Sequence, residues 1–135
     1  MTVSDILRRQ SERACTQLES LFSGIQPADA DFRVHDRAMS IAEMATHLCE
    51  CYQALLSVSK GEIHEWGTYT SPFANWDASR KLLFDLRREA MTVILSDPEE
   101  RLFGFLSNII VHDSYHIGQL TLTRLALDPD WIPTL

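Results

Sequence analysis

At 135 residues, with 45% hydrophobic and 23% charged side chains, the chain has the make-up of one folded domain, residues 1–135, and not of a disordered segment. Twelve basic against nineteen acidic residues give a net charge of −7 without any basic cluster, which argues against nucleic acid or an anionic membrane surface as partner. The opening MTVSDILRRQSER lacks the apolar core of a leader, no run reaches the ~18–20 apolar residues of a membrane span, and Cys15, Cys49 and Cys51 have no framework spacing; the expected setting is reducing and cytoplasmic.

The first helix is expected from about Ser4 to Ser23. Leu7, Ala14, Leu18, Leu21 and Ile25 recur at three- and four-residue steps, Ser4 is a candidate N-cap, and Gly24 with Pro27 is a stop signal. The second opens on Ser40-Ile41-Ala42-Glu43, a capping-box pattern, and carries Ile41, Met44, Leu48, Tyr52 and Leu55 to a stop at Gly61. The loop from Glu62 to Asn75, containing GTYTSPFANW, is placed to shape one end of a site.

A third helix is expected to start near Pro72 or Asp77 and to carry Trp76, Leu83, Leu86, Ala90, Val93 and Ile94 to about Ser96. Asp97-Pro98-Glu99-Glu100 reads as cap, first-turn proline and first-turn acids of a fourth helix that Asp128-Pro129 ends. No alternating strand pattern competes, so the expected fold is all-α, a four-helix bundle, with a first connection of about 15 residues that is long enough for a crossover. The fourth helix is apolar on more than one side: Leu102, Phe105, Ile109, His112, His116 and Leu120 form one stripe, and Phe103, Leu106, Ile110 and Ile117 a second. Such a helix is central or faces a partner subunit, which raises a homodimer contact through it.

The segment VHDSYHIGQL places His112 and His116 one turn apart on one face of this helix, close enough to share a metal ion. His47 lies on the inward side of the second helix among Met44, Leu48 and Cys51. Buried imidazoles need partners for both ring nitrogens, and bundle interiors are where facing helices build metal sites, so His47, His112 and His116 are the expected ligands of one divalent ion. Three histidines leave coordination positions open, and imidazole suits zinc, nickel, copper or iron alike.

His112-Asp113-Ser114-Tyr115-His116 matches the H-E-x-x-H peptidase signature poorly, since Asp113 is a methylene short and no third histidine follows. Cys51, four residues after His47, is a candidate fourth ligand or redox-sensitive neighbour, but reads first as a small core residue. Cys49 points elsewhere. Glu43 and Glu50 read as capping and solvated residues, and His35 and His64 as surface residues.

Ser40-Ile41-Ala42-Glu43-Met44-Ala45-Thr46-His47-Leu48 resembles the capped "HL" segment of the DinB/YfiT-like superfamily, and His112-x-x-x-His116-x-Gly118-Gln119-Leu120 resembles its H-x-x-x-H-x-G-Q closing motif. The resemblance implies a four-helix bundle, often dimeric, with a divalent metal on His47, His112 and His116, and metal-dependent transferase or hydrolase chemistry on a small molecule, with a low-molecular-weight thiol such as bacillithiol, mycothiol or glutathione as co-substrate. Gly118 is expected to admit a neighbouring helix, and Gln119 to serve structure.

Two functions follow. In one, a metal with open positions activates a thiol or water, with Trp76, Tyr115, Arg124 and Trp131 as candidate pocket residues. In the other, a non-catalytic, stress-associated module uses the metal to fasten helices two and four.

Overall fold

The computed structural model describes residues 1–72, 74–96 and 99–134, with the side chains of all of these except 99–108. Four helices build it: α1 (Val3–Phe22), α2 (Ile41–Ser59), α3 (Trp76–Ser96) and α4 (Glu99–Leu127). Among the described residues there is no strand, and no helix is long and apolar enough to cross a membrane. Asp97 and Pro98, expected to open the fourth helix, and the side chains of Leu102, Phe103, Phe105 and Leu106 lie outside the described residues.

The start of α1 is set two residues earlier than Ser4. Thr2 caps it, accepting from the Asp5 N–H while the Asp5 carboxylate accepts from the Thr2 N–H. Thr2-x-x-Asp5 is thus a capping box with a shorter acid. The helix has no basic residue in its last turn. Its final carbonyls are satisfied from outside, Leu21 by Arg124 and Phe22 by Arg80. Gly24 then turns the chain at φ +72°, with Arg124 Nη2 3.5 Å from where a Cβ would stand.

All of the first-turn donors of α2 are engaged. Ile41 and Ala42 N–H donate to the carbonyls of Phe32 and Ala30, Glu43 N–H to Ser40 Oγ, and Met44 N–H to the Ser40 carbonyl. The connection from α1 is thereby seated on the head of α2, and His47 starts from a fixed base two turns in. The capping box at Ser40 and Glu43 is present as the sequence reads.

α1 packs chiefly on α4, and α2 chiefly on α3. The long first connection therefore does not close a simple hairpin. Leu18, Phe22, Ile41, Met44, Leu48, Tyr52, Leu83 and Leu120 are within the core they enclose. Trp76 is 7% exposed, and its Nε1–H donates to the Ile25 carbonyl, so it is a core residue and not a pocket residue.

One polar network crosses that core. Asp113 of α4 is fully buried; Oδ1 accepts from Tyr52 of α2 at 2.6 Å, and Oδ2 accepts from Arg87 of α3 at 3.0 and 3.2 Å. Arg87 also donates to the carbonyl and hydroxyl of Ser11 on α1. All four helices contribute to the network. Arg87→Met leaves the Asp113 carboxylate buried without its cation, and should cost about 3–5 kcal/mol in urea denaturation followed by circular dichroism. Arg88→Met, which removes an exposed partner of Asp85, should cost no more than about 1 kcal/mol. Equal, small losses would show that the buried pair does not hold the bundle.

Candidate metal centre

α2 and α4 face each other with two matched i, i+4 pairs, His47 and Cys51 on one, His112 and His116 on the other. His112 Nε2 is the meeting point. His47 Nε2 lies 3.1 Å from it, His116 Nε2 3.1 Å and Cys51 Sγ 3.5 Å, with Cys51 Sγ 3.8 Å from His47 Nε2. The ligand atoms of His47, Cys51 and His112 all fall within 4.8 Å of one another, a group that could hold a metal ion.

Hydrogen bonding alone does not account for this arrangement. An imidazole nitrogen carries either one proton or one lone pair. His112 Nε2 can therefore form one of its two imidazole contacts as a hydrogen bond, and the second remains a nitrogen against a nitrogen. Tetrahedral bonds of the usual zinc lengths would separate two nitrogens by about 3.3 Å and a nitrogen from a sulfur by about 3.6 Å. The spacings fit that geometry for His47, Cys51 and His112, and His116 joins the group at His112 Nε2.

The charge states agree with it. Burial, reinforced by the neighbouring imidazoles, pushes His116 down to about 4 and lowers His112 from its ordinary 6.5. Both are neutral at physiological pH, with lone pairs to offer. Burial also pushes the Cys51 thiol up to about 12, helped by the carboxylates of Glu50 and Asp113, so that it keeps its proton until a cation stands beside it.

His116 Nδ1 and Gln119 Oε1 are each buried without a partner in hydrogen-bonding geometry. Gln119 is nonetheless the neighbour that acts to raise His116, against burial and the other two imidazoles. A proton on Nδ1 aimed at this carbonyl leaves Nε2 as the free donor, and ligating histidines are commonly oriented in this way. The Gln119 amide donates to Tyr115 Oη, whose ring stands edge-on to His116 at 5.1 Å.

The cluster lies between two concavities. A polar one of about 370 Å³ is lined by Arg33, Glu43, Thr46 and His47. The larger, about 850 Å³, has Cys51 and His112 in its wall and Leu55, Val58, Trp66 and Val111 around it. Its outer wall is the loop after α2. Glu50, 8% exposed, accepts from His64 Nε2 at 3.1 Å and from Gly67 N–H at 2.6 Å, pinning that loop back beside Cys51. Burial acts to raise the Glu50 carboxyl, but these bonds outweigh it and hold it below its usual range.

Several expectations are corrected. Glu50 is not solvated and His64 is not a free surface residue; they form a shielded pair linking residues 14 apart, which no local pattern announces. Cys51 is half-buried with its sulfur in the cluster and is not merely a core filler. Arg124 and Trp131 stack on each other near the end of α1, away from the histidines, leaving Tyr115 alone of the candidate pocket residues in place. Gly118 is exposed with open space beside it, so no helix of this chain approaches there. Glu43 caps α2 and His35 is exposed, as the sequence reads. Arg87 carried no sequence signal, because one arginine in an amphipathic helix looks like any solvated charge.

No family model, curated protein or solved structure matches the chain.

The lowered His116 gives a signed pH effect. Between about 4 and 6.5 the unfolded chain binds a proton that the folded metal-free chain refuses, so stability is complete above 6.5 and falls as pH drops toward 4. The loss is at most about 3 kcal/mol. Urea midpoints in chelator at pH 7, 6 and 5 should fall for the wild type and fall less for His116→Gln; parallel curves would refute the effect.

Proposed function

We propose that the protein binds one divalent metal ion through His47, His112 and His116, with Cys51 as a fourth donor, and acts as a metal-dependent transferase or hydrolase on a small molecule. The observation that carries the reading is the grouping of the His47, Cys51 and His112 ligand atoms within 4.8 Å of one another between α2 and α4, with His116 Nε2 3.1 Å from His112 Nε2. A bound divalent ion there supplies Lewis acidity and a nucleophile, from a thiol or water, near neutral pH. Zinc, nickel and iron all suit the donors.

The chain's own residues do the rest. The Tyr52–Asp113 bond holds α4 against α2 beside the cluster, and the pinned loop after α2 walls the cavity next to it. Two openings, one polar beside His47 and one apolar beside Cys51, suit two substrates, the polar one serving a low-molecular-weight thiol. Membership of the DinB/YfiT-like superfamily and a cytoplasmic setting belong to this reading. So does a homodimer through α4, whose Leu122 is exposed one turn beyond Gly118.

The second reading, a non-catalytic module in which the metal fastens α2 to α4, is favoured by one feature: Cys51 lies beside His47 and His112, where its thiolate would add a protein donor and help close the coordination sphere.

Metal analysis of untagged protein by mass spectrometry should find about one divalent ion per chain, and only residual amounts in His47→Ala and His116→Ala. With cobalt as probe, a thiolate-to-metal charge-transfer band lost in Cys51→Ala would place the sulfur on the ion. Wild-type protein that stays metal-free after incubation with zinc, nickel or iron, with its helix content intact, would overturn the reading. Chelation that unfolds the chain would decide for the fastening role; an ion that exchanges added thiol while the bundle stays folded would decide for the enzyme.

A further inference from the structure

The reaction reading leaves the substrate unspecified, but the larger cavity restricts it. Its volume of about 850 Å³ is in the range that encloses a small organic molecule and not merely a water or a thiol head. Leu55, Val58, Ile63, Trp66, Ile109 and Val111 line it, and its lining is mainly apolar. The charged groups that reach it are already engaged or outward. Asp113 is saturated by Tyr52 and Arg87, His64 is paired with Glu50, and Glu62 stands exposed at the rim. A charged body entering here would lose its hydration and gain no partner.

One part of the wall is different. Cys51 and His112, two members of the converging cluster, face the cavity directly, while His116 is only 2% exposed. The apolar volume therefore ends on the donor cluster. Ile63 and Trp66 at the mouth are 97% and 62% exposed, large apolar side chains held over the opening by a loop that Glu50 fixes at His64 and Gly67. Such residues are misplaced on a surface that meets only water, and well placed against an apolar ligand.

We propose that this cavity binds an uncharged small molecule with an alkyl or aromatic body and one metal-binding head, the body lying against Leu55, Val58, Trp66 and Val111 and the head directed at Cys51 and His112. This rests on the metal-binding reading above and narrows its substrate class.

The test is calorimetric titration of zinc-loaded protein, its zinc content measured beforehand and after each titration, with octanohydroxamate, acetohydroxamate and 1-octanol. Each methylene buried is worth about fourfold in affinity, so octanohydroxamate should bind at least about a hundredfold more tightly than acetohydroxamate. Octanol should bind with or without zinc, and octanohydroxamate should lose most of its advantage over octanol when zinc is removed. Val111→Glu, at a position already 67% exposed, and Leu55→Ala should each weaken octanohydroxamate at least about tenfold and leave acetohydroxamate unchanged.

Equal affinity for the two hydroxamates in zinc-loaded protein overturns the cavity proposal alone. Failure to load zinc, nickel or iron, seen before any hydroxamate is added, overturns the metal reading and this proposal with it. An affinity that falls as the protein is concentrated, with dimer appearing in sedimentation, shows that a second copy fills the cavity, and overturns the proposal as well.

Discussion

The buried bond between Tyr52 and Asp113 sets the geometry on which the candidate centre depends. Tyr52 is the residue after Cys51, and Asp113 the residue after His112. A 2.6 Å contact between these two side chains therefore fixes the adjacent pair, and Cys51 Sγ and His112 Nε2 come within 3.5 Å. Helices can slide and rotate on apolar contacts at modest cost, because dispersion is non-directional. A buried carboxylate that must meet both a phenol and a guanidinium permits one register. Arg87 and Ser11 extend that constraint to α3 and α1.

The network also works electrostatically. Burial acts to raise the Asp113 carboxyl, and Arg87 and Tyr52 oppose it; the same carboxylate raises Arg87 despite burial, as expected of a retained cation. Tyr52, pushed well above its ordinary range by burial and by Asp113, stays a donor. The charge of Asp113 is held by Arg87 and Tyr52 inside the bundle and still reaches the cluster, where it acts to raise both His112 and Cys51. His112 and His116 stay neutral and Cys51 keeps its proton, donors that a divalent cation would complement.

How much of this was legible in the sequence follows from the range of each interaction. The helices were, since period and caps are local: Ser40 and Glu43 form the box that their spacing announces, while Thr2 and Asp5 form one two residues before the expected cap at Ser4. The four-helix bundle followed from the number and length of the stripes. His47, His112 and His116 could be singled out because a polar residue on an apolar stripe is conspicuous, and the structure brings them together. Arg87, Asp113, Glu50 and His64 were missed or misread, because charged residues that pair over 14 or 26 positions look solvated until the fold supplies the partner. Cys51 did carry a signal. His47-x-x-x-Cys51 has the same spacing as His112-x-x-x-His116, and the two pairs face each other across the bundle.

That pairing also bears on whether the centre is closed or reactive. The four candidate donors are not equivalent in access. His116 is buried at 2% exposure beneath Tyr115, with Gln119 behind its ring, and is the least replaceable. Cys51 is half-buried in the wall of the apolar cavity, on the side from which a ligand would come. It is also the donor whose ligating form costs most, since its proton must be removed against burial and against the charges of Glu50 and Asp113. The histidines need no such ionisation. Cys51 thus combines a place in the cavity wall with a ligating form that must be made against burial and two carboxylates. Access from the cavity is what separates a reactive centre from a fastening one: with Cys51 and His112 in its wall, a molecule in the cavity would reach two of the candidate donors, whereas His116 is closed to it.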